Sequence, residues 1–269
     1  MGLFEELDDM ALNQLKKSEL GDNRIYGTMS GIVTNNYNKD MPGKVCIQIQ
    51  NRDKEANILK WAKLAMPYAG KKYGTYFVPE IGDQVLVVFE DGNIEKPFVI
   101  GCIPTINSTF VSQNADEQNQ HKVIKTRNGN TISILDCEDG EGEKDKIEIK
   151  TSKEELQLIM DNENHNVAIQ NKSKNNRISM NTENGELTIN VEKKLKLKVG
   201  DIEINMNGES GNISIDCSKY KLSAQSSIKQ ESGGMNSLEA ENIVVSANTS
   251  LKAKGSSTVS VEGSVVKLG

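Results

Sequence analysis

The sequence predicts an all-β protein in three parts: a short N-terminal helix, a small β-barrel, and a long thin rod of short strands that closes as a homotrimer. Three observations predict it. Proline and aromatic residues stop almost together: all five prolines lie between Pro42 and Pro104, and of one Trp, six Tyr and five Phe only Tyr220 lies beyond residue 110. Before that break, short apolar runs alternate with turns marked by Gly and Pro. After it, apolar and polar residues alternate with period 2 almost to the last residue.

With 269 residues the chain exceeds the roughly 100–200 of a typical single domain, and it divides into residues 1–24, 25–106, 107–120 and 121–269. In the first segment Phe4, Leu7, Ala11 and Leu15 recur at steps of three and four, broadened by Leu3 and Met10, which predicts a helix over residues 3–20. Glu5, Glu6, Asp8 and Asp9 crowd its first half and Lys16 and Lys17 its second, as the helix dipole favours. Gly21 ends it. Such a helix either lies on its own domain or docks on a partner. Between residues 25 and 106, strands are predicted over 27–33, 44–49, 84–89 and 98–101, with Pro42-Gly43, the Pro79–Asp83 turn and Asp91-Gly92-Asn93 between them. Short strands around a Gly- and aromatic-rich middle predict a small antiparallel barrel. Residues 107–120 are polar and form a linker.

From 121 onward about fifteen short strands are predicted, one starting roughly every 6–11 residues. The clearest are 131–135, 146–150, 177–180, 186–190, 194–199, 201–206 and 212–216; shorter ones follow at 238–240, 245–247, 251–253 and 259–261. Period 2 puts one face in a core and the other in water. Here the wet face is Lys, Glu, Ser, Asn and Thr, and the dry face holds one to three small aliphatics per strand. Without Phe or Trp such a chain cannot fill a wide interior. A single-chain solenoid needs about 20 residues per coil and a regular period. The observed spacing instead suits one face per chain, with three chains closing a triangular prism on Ile132, Ile134, Ile147, Ile149, Leu195, Leu197, Ile202, Ile204, Leu251, Ala253, Val259 and Val261. Closed symmetry also hides the sheet edges. The dry-face residues shrink toward the C-terminus, so the rod tapers, ending at Val265, Val266, Leu268 and Gly269. Its length is on the order of 70 Å.

Composition excludes several function classes. Net charge is −6, from 32 basic and 38 acidic residues, which argues against nucleic acid as the main partner. The Trp61, Tyr68, Tyr73, Tyr76 and Phe77 cluster is either a stacking platform or, more in keeping with that charge, a packing or partner contact. No apolar run reaches the ~20 residues of a membrane span, and an acidic start is unlike a secretory signal. Cys46, Cys102, Cys137 and Cys217 form no C-x-x-C pair. Gly70-Lys71-Lys72-Tyr73-Gly74 lacks the ending of a phosphate loop. Glu80 and Asp83 cap the Pro79–Asp83 turn, with no acid–base partner. His121 and His165 lack ligand-spaced companions, though three copies of His165 could cluster if it faced a threefold axis. No catalytic residue, metal or cofactor is expected.

Trp61, Pro67-Tyr68-Ala69-Gly70, Tyr73-Gly74-Thr75-Tyr76, Pro79-Glu80-Ile81-Gly82-Asp83, Gly92, Pro97 and Gly101 form a pattern that resembles one family. It is the OB-fold domain of central spikes from contractile injection systems: phage-tail baseplate spikes of the protein V type, VgrG-like spikes of type VI secretion and R-type bacteriocin spikes. Gly31-Ile32-Val33-Thr34-Asn35 and Pro42-Gly43-Lys44-Val45 fit its first two strands. The specific match covers residues from about 25 to 106; the rod matches by architecture alone.

The resemblance implies an OB-fold barrel followed by a triple-stranded intertwined β-helix in a homotrimer. It implies a non-enzymatic spike at the centre of a baseplate that pierces the target cell envelope when the sheath contracts. A separate hub protein at the barrel end and a PAAR-like tip protein at the other are the expected partners. The protein would be made in the bacterial cytoplasm without a signal peptide and assembled into a phage tail or extracellular injection particle. Two family variations are missing: the linker is too short for a lysozyme domain, and no His follows His165 to build an iron-binding tip. A trimeric receptor-binding fibre or adhesin is the alternative.

Overall fold

The structure, a computed structural model, describes residues 25, 27–49, 59–138 and 141–267. The helix expected over 3–20 lies outside the described residues. The chain divides into two units, Met1–Glu192 and Lys193–Gly269.

The first unit opens with a closed five-stranded barrel. Strand β1 (Met29–Asn35) pairs with β2 (Lys44–Ile49) and β4 (Gln84–Phe89), β2 pairs with β3 (Leu59–Leu64), and β5 (Pro97–Cys102) closes the ring between β3 and β4. All these pairs are antiparallel except β3–β5, which is parallel. Alternation produces the core: Val85, Val87 and Phe89 of β4 point inward with Val33, Val45, Ile47, Ile49, Ala62 and Val99. Burying a Val or Ile side chain contributes about 1.5–3 kcal/mol, so this core supports a fold without outside help. Three of the four expected barrel strands lie within a residue of their positions and β1 begins two residues late. Strand β3 was not expected. Its Leu59-Lys-Trp-Ala-Lys-Leu64 sequence buries only Ala62 fully.

The expected linker contains a one-turn-and-a-half helix, α1 (Thr109–Asn114), capped where the Ser108 hydroxyl accepts from the Val111 N–H. Beyond it a seven-stranded antiparallel meander runs in simple chain order: β6 (His121–Lys125), β7 (Thr131–Leu135), β8 (Lys146–Lys150), β9 (Leu156–Asp161), β10 (Asn166–Asn171), β11 (Arg177–Asn181) and β12 (Glu186–Asn190). Strands β6, β9 and β10 are not among the eleven segments named from the sequence pattern.

The second unit holds a three-stranded antiparallel sheet, β13 (Lys194–Val199), β14 (Ile202–Asn207) and β15 (Asn212–Asp216). Among the described residues no strand forms after Asp216. The expected count of about fifteen strands from 121 onward is therefore corrected to ten within the chain. The segments at 238–240, 245–247, 251–253 and 259–261 keep their alternation but form no strand pair among the described residues. From 121 to 216 every strand pairs with at least one other strand of its own chain, in two antiparallel meanders.

Candidate assembly surfaces

Register turns the alternation into continuous surfaces. On one face of the meander, Ile124, Ile132, Ile149, Leu158, Ile169, Ile178 and Ile189 stand opposite one another across all seven strands. A second row beside it runs Ile134, Ile147, Met160, Val167, Met180 and Leu187, with Lys122 at its start. Apart from Lys122 the two rows form an apolar strip whose large residues are mostly 38–65% exposed. Ile132, Ile134, Ile147 and Ile149 share this face as the sequence indicates. Ile124, Leu158, Met160, Val167 and Ile169 join it, and only the pairing register reveals them.

The opposite face is polar and yet more buried. Ala168 is 1% exposed and Gln170 6%. Gln170 Nε2 donates to Gln157 Oε1 at 2.8 Å, and Arg177 donates to Asn166 Oδ1 at 3.1 Å. Lys146 reaches Glu148 at 3.1 Å and Asp161 at 3.6 Å, and Lys150 reaches Glu148 at 2.8 Å. Burial raises the Glu148 carboxyl, but hydrogen bonds from Lys150 and Lys146 outweigh it and hold the group below its ordinary range. Asp161 is likewise held low: desolvation opposes, while Asn164 and Lys146 prevail. This face pairs most of its polar groups internally, though the buried Arg177 Nε has no hydrogen-bond partner among the described residues; the apolar face stands bare.

The three-stranded sheet repeats the arrangement. Leu195–Met206–Ile213 and Leu197–Ile204–Ile215 form two rows, extended by Val199–Ile202. Lys194, Lys196 and Lys198 lie on the other face, and Lys196 meets Glu203 at 2.6 Å. Residues 218–267 are exposed throughout, including Leu251, Ala253, Val259, Val261, Val265 and Val266. Among the described residues their backbone N–H and C=O groups bond to no backbone group of the chain. Leu268 and Gly269 lie outside the described residues.

Strand direction gives the barrel two ends. One carries Ile25, whose N–H bonds Gly92 O at 2.8 Å, and the turn from β4 to β5. The other carries the β1–β2 loop, the 65–83 loop and the exit after Cys102. The pattern residues between Pro67 and Asp83 build this exit end. Asp83 caps its turn by accepting from the Glu80 N–H at 2.9 Å, and Gly82, at φ +97°, pairs with Val33 to prolong the β1–β4 ladder. Glu80 does not cap the turn with its side chain; it binds Arg127 of the first meander hairpin at 3.3 Å. Tyr68 and Tyr73 meet with ring centroids 5.1 Å apart, and a β-carbon on Gly70 would strike the Tyr73 ring. Tyr68, Tyr73, Tyr76 and Phe77 are exposed, while Trp61 is half-buried in β3 and Pro79, Gly92 and Pro97 are buried. Gly74 bridges to Ala69, and Gly101 sits in β5. His165 lies at φ 48° in the turn after β9, not on the apolar strip, and His121 faces Asp116 at 3.9 Å.

Residues 29–103, which are the barrel, match the family model described as the type VI secretion system/phage-baseplate injector OB domain. The barrel is similar to an injector-type OB domain. Two type VI secretion system spike proteins of Pseudomonas aeruginosa are similar to it: VgrG5 is 30% identical over 87 residues and VgrG4b 31% over 90. Each alignment covers 30% of this chain and 11% of the relative, so the chain spans about a tenth of the length of the curated relatives it matches. The resemblance carried by Trp61 to Gly101 therefore holds for this OB domain, and these relatives are spike proteins by name.

Proposed function

We propose that the chain is the structural central spike of a contractile injection machine and works as a homotrimer. Three copies press their apolar strips together on one axis. The barrel seats on a separate hub through the end carrying Ile25, and the rod points at the target envelope with a PAAR-like protein on its tip. Sheath contraction drives the spike through the envelope without bond chemistry, by concentrating force on a narrow rigid point. The spike names of the relatives and the injector OB match support this over a receptor-binding fibre.

One observation carries the trimer: two apolar rows lie bare on a sheet whose polar side chains bond one another on the other face. An exposed apolar surface of that length marks an interface. Backbone groups after Asp216 add to it, since strands without partners inside the chain need them from sister chains. In this arrangement the meander of each copy gives one wall of a prism, the three-stranded sheet of each copy meets its counterparts in the same way, and 217–267 wind around one another. The exposed tyrosines lie at the exit end, beside the prism, and serve contacts between copies rather than the hub. Sedimentation of the purified chain at micromolar concentration tests the assembly: a mass of three chains is expected, and a stable monomer rejects it.

A further inference from the structure

The two margins of the meander carry opposite charge. Along the margin where β6 begins, the hairpin loops 136–145, 162–165 and 182–185 present Asp136, Glu138, Glu141, Glu143, Glu163 and Glu183, all exposed, against the single base Lys144. Along the other margin the loops 126–130, 151–155 and 172–176 present exposed Arg127, Lys153, Lys172 and Lys174 against Glu154 and Glu155. Lys125, Lys150 and Arg177 at the neighbouring strand ends add to the basic side.

Each margin is a fixed ladder rather than a row of loose loops. On the acidic side Asn162 Nδ2 donates to Gly142 O at 2.7 Å, and the Thr182 N–H donates to His165 O at 2.8 Å. On the basic side the Ser152 N–H donates to Asn130 Oδ1 at 2.9 Å, and Lys172 Nζ donates to Lys153 O at 2.9 Å. Among the described residues, Glu138, Glu141, Glu143, Glu163 and Glu183 on one margin and Lys153, Lys172 and Lys174 on the other take part in no ion pair.

We infer that these margins are the lateral seams of the assembly, the acidic margin of one copy seating on the basic margin of the next. This rests on the proposed cyclic trimer and adds what holds its walls in register. In cyclic symmetry every wall runs the same way, so each edge of the prism joins one margin of one kind to one of the other. Opposite signs on the two margins make that junction attractive at all edges at once, whereas an antiparallel pairing of strips, with its two-fold axis along the strands, would set like against like. The second copy is the occupant because the charges complement each other within one sequence and flank the same bare apolar strip. Such complementarity steers encounter and fixes register more than it adds affinity.

The test uses the full-length chain refolded from denaturant at low salt, read by sedimentation. An acidic-margin variant (Glu141→Lys, Glu143→Lys, Glu163→Lys) and a basic-margin variant (Lys153→Glu, Lys172→Glu, Lys174→Glu) should each yield roughly tenfold less trimer, because like charges then meet at every seam. The chain carrying all six changes should trimerise like wild type and fail to mix with wild-type copies on co-refolding. Added salt should raise the yield of the three-fold variants. Circular dichroism showing native strand content in all chains separates seam effects from misfolding. A wild-type trimer indifferent to either margin variant, or a six-fold variant that is not rescued, overturns the seam and leaves the trimer standing. A wild-type chain that stays monomeric rejects the trimer itself and gives the margins to some other protein.

Discussion

The barrel and the meander are both antiparallel β-structures in the same unit, but they handle apolar surface in opposite ways. The barrel closes on itself, and Val33, Val45, Ile47, Ala62, Val85, Val87 and Val99 are 0–1% exposed inside it. The meander has more strands, yet its Ile and Leu residues stand open while its polar side chains cover one another. Cross-strand pairs contribute only about 0.2–1 kcal/mol each, too little to hold an open sheet whose apolar face is wet. Closure is thus achieved within the chain in one region and, on the proposed trimer, between chains in the other. Under the proposed function that division is useful: a self-sufficient head could seat independently, while the shaft would gain rigidity from the walls of several chains.

The comparison is broken most severely by a charge on the apolar strip. Ile204→Asp, or Ile147→Asp in the meander, should abolish trimers, since an unpaired carboxylate would be buried three times on one axis. The barrel should survive both, and Trp61, the single tryptophan, reports it. Unchanged fluorescence alongside a monomeric mass is expected; a trimer that tolerates either change overturns the face assignment. The converse substitution, Ile47→Ala in the barrel, should cost about 2–5 kcal/mol of barrel stability, seen as an earlier denaturant midpoint of Trp61 fluorescence, with the trimer retained. A smaller effect is expected at Gly82, whose φ of +97° suits no side chain. Gly82→Ala should lower the same midpoint by about 1–2 kcal/mol without touching assembly.

The same contrast explains what was legible in the sequence. Ile132-Ser-Ile134 and Ile147-Glu-Ile149 declare their face because every second residue is apolar and the rest are polar. Strands β9 and β10 do not: Leu156-Gln-Leu-Ile-Met160 and Val167-Ala-Ile169 carry apolar residues on both faces, since Ile159 and Ala168 lie under the long polar side chains of the other side. Strand β3 was hidden because two of its six residues are lysines and its deepest contact is a small Ala62. Helix α1 has too few residues for any period to show, and its Ser108 cap sits among many polar residues. The Trp61–Gly101 pattern was legible because Gly70 lies against the Tyr73 ring and Gly74 and Gly82 sit at positive φ, which constrain residue type tightly. After Asp216 the alternation marks a face but cannot name the partner strand, for pairing there depends on something other than the chain itself. The charge of the two margins was equally invisible, because loops far apart in sequence share a margin only once the meander register is known.

The smallest effect separates the polar face from the bare one by pH. Glu148 and Asp161 are held below their ordinary values of 4.5 and 3.8 by bonds that include Lys146, and Lys146 is held above 10.5: burial pulls it down, and Glu148 and Asp161 more than restore it. A depressed carboxyl stabilises the folded state above its unfolded value and loses that contribution as pH falls through its folded value. A raised ammonium stabilises below its unfolded value and loses that contribution as pH climbs through its folded one. The stability difference between wild type and Lys146→Gln should therefore form a plateau between about pH 5 and 10, shrinking below about 4.5 and again above about 10.5. Exposed ion pairs of this kind are worth about 1 kcal/mol or less, so the plateau should be of that height. Wild type and Lys146→Gln should give the same trimer yield as each other at every pH, because these groups lie on the polar face, away from the apolar strip. Denaturant midpoints measured across that range, with sedimentation at each pH, check both statements; a difference that persists unchanged at pH 3 would show that Lys146 acts through packing of its alkyl stem instead.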